Sequence, residues 1–411
     1  MRIRHGADTA ATLTERRPLA PERVAWLSHG GARVPLPFPL GAGELRPEPG
    51  AILGADLVAS VFWWLAGVQE IATPRRDPHG RFPYAASLQA ALGTPLATPV
   101  DAMREVLAEA LTAAGVELHR RDWDGHRWAV AFTFDLDALA TPRLRVTAGA
   151  LRKRQWRRAW RTLSGGDRRR DTAHRLVDLA AELGGGTAFV KGGASSRHDV
   201  PYALGPHAAW LRESERRGVG VGVHPSYHAH DDPARLGRER DAVAEALGRA
   251  SLAVRSHYLR WSIPQTPRAY AGAGFRLDST LGFAEHEGFR RGTARPFRLF
   301  DLDADAPTAL VEAPPAVMDQ TLLGYRGLSL DGQREALADV LGAAERAAGC
   351  AVVLWHNDMG DSPEWDARLD LLRDAIADAR GRGAWIGSLG DAVAHAGHAL
   401  SAADGAAAAP R

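Results

Sequence analysis

The chain has 411 residues, of which 45 % are hydrophobic and 24 % charged, so it can bury an ordinary core and is not disordered as a whole. Lys and Arg number 51 and Asp and Glu 49, a formal net charge of +2. Nucleic-acid binders usually carry a clear basic excess, so no nucleic-acid partner is expected. The single cysteine, Cys350, excludes an internal disulfide. Without a secretory-type N-terminus or a run of roughly 18 apolar residues, we expect a cytoplasmic protein with no transmembrane segment; the oligomeric state stays open.

The first 125 residues predict a small, mainly helical N-terminal domain. Residues before about 50 are rich in Pro, Gly and Arg, which is typical of loosely structured chain. The stretches "ADLVASVFWWLAGVQE" (55–70) and "PVDAMREVLAEALTAAG" (99–115) have the apolar spacing of helices. Nothing in this region indicates a role.

A different pattern runs from residue 126 to about 400. Short apolar runs such as "WAVAFTF", "VGVGV" and "AVVLW" alternate with helical stretches such as 171–186, 234–250 and 332–349. This alternation is typical of parallel strands joined by crossover helices. We therefore predict an α/β fold, a distorted (β/α)7-type barrel, followed by a frayed tail at 401–411.

Titratable side chains follow five of the predicted strands. In α/β barrels, reactive groups lie at the carboxyl ends of the strands, where the following loops meet. The repeated placement predicts one shared active-site mouth, built from Asp135, Asp137, His224, Arg255, His257, Asp278 and His356.

The stretch "GVHPSYHAH" (222–230) suggests a metal site. Together with Asp137, the imidazoles of His224 and His228 supply three protein ligands, the number that a hydrolytic site with an open position needs. These donors suit one divalent metal, zinc first, with cobalt, nickel or iron as alternatives. The simpler interpretation is that His224 ends a strand while His228 and His230 are solvated.

Asp135 lies two residues before Asp137, so in a regular strand both carboxylates point to the same side. One can bind the metal while the other takes a proton from water, which is the chemistry of a metal-assisted hydrolase. The alternative is an ordinary Asp-x-Asp turn.

These residues resemble the motifs of the polysaccharide deacetylase family, carbohydrate esterase family four, whose catalytic unit is the NodB-homology domain. "TFDLD" (133–137) is similar to the first motif and "HPSYH" (224–228) to the second, a His-x-x-x-His pattern. "RSHY" (255–258) resembles the Arg-x-Pro-Tyr motif, and "LWHND" (354–358) the final Leu-x-His motif. "LDSTLGF" (277–283) with "GFRRGTARPF" (288–297) looks like a subgroup that has an uncharacterised N-terminal extension.

The resemblance implies a role for each matching residue. Asp135 would be the general base that activates water, and Arg255 would keep it ionised and oriented. The metal would be held by Asp137, His224 and His228. His356 would be the general acid that protonates the leaving group, tuned by Asp278 as first candidate or Asp319 as second. A backbone N–H near Tyr258 would help to stabilise the oxyanion.

The motifs depart from the family pattern at several positions. Leu136 separates the two acids, a variant that the family tolerates, and His257 stands where the third motif has proline. The position of His228 often lacks histidine in the extended subgroup, which leaves open whether His228 or another side chain completes the ligand set.

Other residues have both a functional and a simpler interpretation. Trp355 could stack on a sugar ring or pack at the rim, and Arg290 could contact a substrate carboxylate or phosphate. Residues 143–171 combine many arginines with Trp156 and Trp160, which suits anionic glycans, lipid-linked sugar phosphates or acidic lipid headgroups, or else a solvated helix and loop.

The expected activity is therefore hydrolysis of an amide or ester bond, namely metal-dependent removal of an acetyl group from a glycan or lipid-linked sugar. We expect an N-acetyl group in preference to an O-acetyl group. A second hypothesis is metal-independent hydrolysis of a non-sugar C–N bond, such as a cyclic amide. A third is a non-catalytic glycan-binding relic, which the retention of Asp135, Asp137, His224 and His356 disfavours.

Overall fold

A computed structural model describes residues 7–39, 44–45, 55–119, 121–139, 143–164, 168–357, 365–398 and 400. The predicted frayed tail, 401–411, lies outside the described residues. Within these ranges, none of the helices has both the length and the apolar character needed to cross a bilayer.

The N-terminal region contains the predicted helices and also a small sheet. Its helices are α1 (Ala7–Thr14), α2 (Leu57–Leu65), α3 (Val68–Ala72), α4 (Leu88–Leu92) and α5 (Pro99–Ala113). Its strands are β1 (Ala25–His29), β2 (Ala32–Leu36) and β3 (Glu44–Leu45), in the order β2-β1-β3. This sheet lies where we expected loosely structured chain. It forms because Leu27 of β1 and its register partner Val34 of β2 are buried in one apolar cluster with side chains of α2 and α5.

The helix predicted at 55–70 is broken into α2 and α3 at Gly67. Gly67 has a φ of +72°, and a Cβ on it would come within 1.6 Å of Arg291 Nη1. Only glycine allows this left-handed turn and the close approach of Arg291.

The remaining strands belong to one large sheet. They are β4 (Trp128–Leu136), β5 (Gly186–Val190), β6 (Val219–Val223), β7 (Ala253–Val254), β8 (Leu277–Asp278), β9 (Phe297–Asp301), β10 (Ala306–Glu312), β11 (Pro315–Met318), β12 (Cys350–His356) and β13 (Ala384–Gly387). Their order is β11-β12-β4-β5-β6-β7-β8-β10-β9, and β13 also pairs with β4. Every pairing in this sheet is parallel except β9 with β10.

Nine helices accompany this sheet among the described residues. They are α6 (Arg143–Arg152), α7 (Trp156–Ser164), α8 (Arg168–Glu182), α9 (Ala208–Arg216), α10 (Pro233–Leu247), α11 (Gln265–Gly272), α12 (Leu330–Arg346), α13 (Trp365–Gly381) and α14 (Leu389–His395).

The predicted α/β barrel class is confirmed by this parallel sheet with its surrounding helices. The sheet is a curled, open barrel rather than a closed ring of seven strands, since the described path ends at β11 on one side and at β9 on the other. Strand β4 has neighbours on both sides, β12 and β5, and is buried along its whole length. A strand buried on both faces reads as a continuous apolar run, as "WAVAFTF" does.

A buried ion pair connects the N-terminal region to the barrel. Glu70 of α3 accepts hydrogen bonds from Arg290 Nε at 2.9 Å and Nη2 at 2.6 Å, and Arg291 Nη2 lies 3.3 Å from the same carboxylate. Burial opposes the charge of Glu70, but the two guanidinium groups outweigh it and lower its pKa. Breaking such a pair would leave a buried charge unpaired, so this contact holds the two regions together.

Candidate active site

The carboxyl ends of β4, β6, β7 and β12 meet at one edge of the sheet. Asp135 is the register partner of His356 on the neighbouring strand β12. His224 follows β6 and Arg255 follows β7, and their backbone N–H groups bond to Val190 and Val223. Because neighbouring parallel strands end at the same edge, side chains far apart in sequence are brought together there.

Three buried side chains could hold a metal ion. The potential ligand atoms of Asp137, His224 and His257 all lie within 4.8 Å of one another. Asp137 Oδ1 is 3.5 Å from His224 Nε2 and 3.1 Å from His257 Nε2. Two of these residues are the predicted ligands, and His257 occupies the third place.

His228, the third predicted ligand, does not join this cluster. After Pro225 the chain turns at residues 227–228, and the His228 side chain is exposed. Hydrogen bonds from the backbone N–H of Tyr227 to Asp199 and of His228 to Ser195 Oγ hold the turn. The four-residue spacing would have served a helical turn, but the loop carries His228 away from Asp137.

Both histidines are oriented as metal ligands usually are. The Nδ1–H of His224 can donate to the Arg255 carbonyl at 2.7 Å, and that of His257 to Asp199 Oδ1 at 2.8 Å. Each Nε2 lone pair then faces the other ligands. His224 Nε2 is buried and has no hydrogen-bond partner among the described residues, and it faces Asp137 Oδ1. An unpartnered imidazole nitrogen beside a carboxylate and a second imidazole fits a divalent metal, so the residues present suit the predicted cofactor.

Asp199 was not predicted from the sequence, since it lies in a loop that no motif marks. Its carboxylate accepts backbone N–H groups of Ser195, Ser196 and Tyr227 in addition to the His257 ring. Burial alone would raise the pKa of Asp199, but these hydrogen bonds keep it well below its usual range. Asp199 is therefore the anionic group that fixes the His257 ring.

Lys191 was also missed, and it lies inside the site. Its Nζ is 2.7 Å from Asp137 Oδ1 and 3.3 Å from the Asp137 carbonyl oxygen, and the side chain is buried. Burial works against the charge on Asp137, but Lys191 and His257 prevail and lower the Asp137 pKa well below its usual range. Lys191 directly follows β5, so the rule that selected the other strand ends would also have selected it.

Asp135 is paired with Arg255 as the motifs predict. Arg255 Nη1 donates to Asp135 Oδ1 at 3.1 Å and to Thr133 Oγ1 at 2.8 Å, and Arg255 is fully buried. The other oxygen, Asp135 Oδ2, lies 3.7 Å from His224 Nε2 and 3.8 Å from His356 Nε2. One carboxylate oxygen is thus held by a cation while the other faces the metal cluster and His356.

His356 is paired with Asp319, the second candidate from the sequence. His356 Nδ1 lies 2.6 Å from Asp319 Oδ1, and the backbone N–H of His356 donates to Asp319 Oδ2 at 3.0 Å. Burial disfavours the imidazolium, but the Asp319 carboxylate outweighs burial and raises the pKa of His356 to about 10. His356 is therefore a proton donor at neutral pH whose Nε2 points to Asp135.

Asp278, the first candidate, is not brought to His356. It ends β8 and lies beside Glu312 of β10, its register partner. Both acids are fully buried, and Asp278 Oδ1 accepts a 2.5 Å hydrogen bond from Thr280 Oγ1. Burial together with the neighbouring carboxyl raises the pKa of Asp278 well above its usual range. Strand β8 ends at the expected edge, but the side chain of Asp278 is buried beside Glu312 instead of facing His356.

A cavity of about 210 Å³ opens beside these residues and is lined by Asp135, Asp137, Lys191, His257, Tyr258 and His356, among others. It is smaller than the roughly 300–1,000 Å³ of pockets that enclose a drug-sized ligand, so it suits the reacting end of a larger molecule. Arg81, from the N-terminal region, also lines it.

Two predicted substrate contacts lie elsewhere. Trp355 is 1 % exposed and packs in the main core, because its position on β12 points away from the site edge. Arg290 is 1 % exposed and bound to Glu70. Of the three predicted substrate-binding residues, only Tyr258 lines the cavity.

Comparisons with solved structures found polysaccharide deacetylases and carbohydrate esterases. A Mycobacterium smegmatis protein described as a candidate polysaccharide deacetylase is 23 % identical, with a TM-score of 0.48, over 68 % of this chain and 92 % of that one. A family 4 carbohydrate esterase from Streptomyces lividans is 15 % identical, with a TM-score of 0.34, over 64 % of this chain and 93 % of that one. The Bc1960 peptidoglycan N-acetylglucosamine deacetylase is 15 % identical, with a TM-score of 0.35, over 65 % of this chain and 88 % of that one. Similarities at this level carry no conclusion about activity.

No curated protein matches the chain. Residues 19–115, most of the N-terminal region, match the model of a family of unknown function, DUF7033.

Proposed function

We propose that this protein is a metal-dependent hydrolase that removes an acetyl group from a glycan or a lipid-linked sugar. The first candidate for the group removed is an N-acetyl group. The observation that carries the proposal is the arrangement around Asp135. Its free oxygen lies between the Asp137–His224–His257 cluster and the protonated ring of His356, with 3.7 Å to His224 Nε2 and 3.8 Å to His356 Nε2.

Asp135 and His356 have environments that suit opposite proton-transfer roles. Asp135 is held by Arg255, so it is the base that takes a proton from the attacking water. His356 carries a proton at neutral pH because of Asp319, so it is the acid that protonates the departing amine nitrogen. A carboxylate held by a guanidinium group beside a protonated imidazole is the pairing that general base and general acid catalysis require.

Asp137, His224 and His257 would hold the metal. When bound, a divalent ion supplies a Lewis acid that polarises the acyl oxygen and lowers the pKa of water. Asp199 and the Arg255 carbonyl keep the two imidazoles in the ligating tautomer. The small cavity admits an acyl group and leaves the rest of the substrate outside.

A second candidate is metal-independent hydrolysis of a non-sugar C–N bond. Lys191 favours it, because its ammonium group already lies 2.7 Å from Asp137 Oδ1 and supplies a positive charge at the place where a metal would. The two candidates differ in whether removal of metal abolishes turnover.

The proposal is tested by measuring zinc content and amine release from N-acetylglucosamine oligomers. We expect about one equivalent of metal in the native protein and a loss of metal in His257→Ala and Asp137→Ala. Asp135→Asn should retain the metal and lose turnover by about 10³-fold or more.

His228→Ala is the matched control for His257→Ala, since both remove an imidazole from neighbouring loops. It should keep both metal and activity. A native protein that stays free of metal after exposure to zinc and cobalt, yet hydrolyses cyclic amides, would replace the first candidate with the second.

A further inference from the structure

The segment between the site and the next strand contains an unusual basic hairpin. Helices α6 and α7 pack against each other, while α8 is the helix that packs on β4 and β5. We call residues 143–164 the Trp–Arg hairpin. It contains eight Lys and Arg residues and no acidic residue, although the whole chain has a net charge of only +2. The hairpin is therefore much more positively charged than the chain as a whole.

The same hairpin exposes large apolar side chains. Trp156 is 67 % exposed, Trp160 71 % and Leu163 52 %. They lie at positions i, i+4 and i+7 of α7, which is one face of a helix. Leu151 of α6 is 42 % exposed beside them, and this apolar face borders an open depression of about 830 Å³.

The apolar exposure is concentrated at this place. Seven large hydrophobic side chains are exposed among the described residues, and four of them belong to the hairpin. Soluble proteins scatter single apolar residues over their surfaces, but a cluster rimmed by polar groups marks an interaction site. The rim is basic here, since Arg152, Lys153, Arg154 and Arg157 are all exposed.

The combination of indoles and cations distinguishes between possible occupants. A dissolved anionic glycan could neutralise the arginines and stack on the indoles, but it would leave the aliphatic side chains of Leu151 and Leu163 in water. The interface of an anionic bilayer takes all of these groups, since indole rings partition to the headgroup level, aliphatic side chains enter the acyl boundary and basic residues are attracted to acidic headgroups. Amphipathic helices that lie in this interface have Trp and Leu on one face and Arg or Lys on the other, as α7 does.

We propose that the Trp–Arg hairpin docks this protein on an anionic lipid bilayer, with Trp156, Trp160 and Leu163 in the interface. The first residue of α6, Arg143, comes six positions after Asp137, so the hairpin begins at most about 22 Å from the site. A substrate held at a membrane would then be presented to the active-site edge of the sheet.

The test is co-flotation of the full chain with phosphatidylcholine vesicles, either pure or containing about 30 % phosphatidylglycerol. We expect binding to the anionic vesicles that weakens with added salt, and little binding to pure phosphatidylcholine. The double variant Trp156→Ala/Trp160→Ala should reduce the partition coefficient about tenfold or more, and Arg152→Glu/Arg154→Glu should do the same. Both variants change exposed side chains, and unchanged circular dichroism and thermal unfolding verify that they fold.

Val116→Ala/Arg238→Glu is the matched control, because it changes an exposed apolar residue and an exposed arginine outside the hairpin. Its partition should equal that of the native chain. Three results would overturn the proposal: no binding to anionic vesicles, binding that the tryptophan variant retains in full, or binding to soluble polygalacturonate with none to vesicles. A self-association that the tryptophan variant abolishes, without vesicle binding, would assign the face to a second copy instead.

Discussion

Arg81 Nη1 donates a 2.9 Å hydrogen bond to the carbonyl oxygen of Tyr258, 177 residues away. Arg81 belongs to the region that matches the family of unknown function, and Tyr258 follows His257 in the metal cluster. Tyr258 and Leu259 have φ values of 62° and 53°, a left-handed turn that costs about 1–3 kcal/mol per residue for side chains other than glycine. Arg81 is bound in addition to Asp77 and Tyr325, so the N-terminal loop supports the strained turn that carries His257.

Arg81→Ala should therefore weaken catalysis although Arg81 is far from Asp135 in sequence. We expect kcat/KM to fall by about 10–100-fold, since a displaced His257 turn spoils the alignment of the site. The free energy of unfolding should fall by about 1–2 kcal/mol as the half-buried Asp77 carboxylate loses its partner. Arg75→Ala, an exposed arginine in the same loop, is the control and should leave both quantities unchanged. A stable Arg81→Ala protein with full activity and full metal content would contradict a supporting role.

The Asp319–His356 pair predicts a pH effect. Because the carboxylate raises the pKa of His356 to about 10, the ring is protonated at neutral pH and loses its proton only in alkali. Asp319→Asn removes the charge that favours the imidazolium, so the pKa of His356 falls. The alkaline limb of the kcat profile should then move to lower pH by about one unit or more. The measurement is the pH dependence of kcat in both proteins.

Asp278→Asn is the matched control for Asp319→Asn, since both substitutions remove a buried carboxyl group at the end of a strand. Asp278 is the last residue of β8, and Asp319 directly follows β11. It should leave the alkaline limb in place. A shift with Asp278→Asn and none with Asp319→Asn would restore Asp278 as the group that tunes His356.

The buried Asp278–Glu312 pair should make the native protein less stable as the pH rises. The folded-state pKa of Asp278 is raised well above its usual range, so the folded protein keeps a proton that the unfolded chain releases above about pH 4. With more protons bound in the folded state, stability falls from about pH 4 up to the folded pKa. Asp278→Asn, whose amide can donate to Glu312, should raise the free energy of unfolding at about pH 8 by about 1–2 kcal/mol and change it little at about pH 4. Urea denaturation at the two pH values is the measurement, and an equal effect at both would contradict the shared proton.

Lys191→Met should tighten metal binding. A lysine ammonium 2.7 Å from Asp137 Oδ1 repels a divalent cation at the same carboxylate, so its removal should lower the Kd for zinc about tenfold or more. Without metal the variant should melt at a lower temperature than the native protein, because Asp137 is then buried without its cation. Titration calorimetry and the zinc-dependent shift in Tm measure these effects.

Lys153→Met removes the only other lysine of the chain, one that is exposed, and is the control. Weaker zinc binding in Lys191→Met than in Lys153→Met would mean that Lys191 orients Asp137 rather than competing with the metal.

Local patterns in the sequence were sufficient to predict the class of the fold and much of the site edge. The continuous apolar run of β4 and the strand–helix alternation predict a parallel sheet. In such a sheet the strand ends must meet, so Asp135, Asp137, His224, Arg255 and His356 could be assigned to one place. The same rule applied to β5 would have added Lys191. These predictions depend on periodicity and on strand direction alone, which the sequence carries directly.

Only the tertiary structure decided which side chains complete each interaction. His257 joins the metal cluster in the place expected for His228. Asp319, and not Asp278, contacts His356. Arg290 forms a buried ion pair with Glu70. Each outcome depends on the path of a loop or on the packing of one region against another, neither of which leaves a periodic mark in the chain. Arg81 reaches Tyr258 for the same reason. The sequence determined by itself which groups come to the edge of the sheet, whereas long-range packing decided which of them touch.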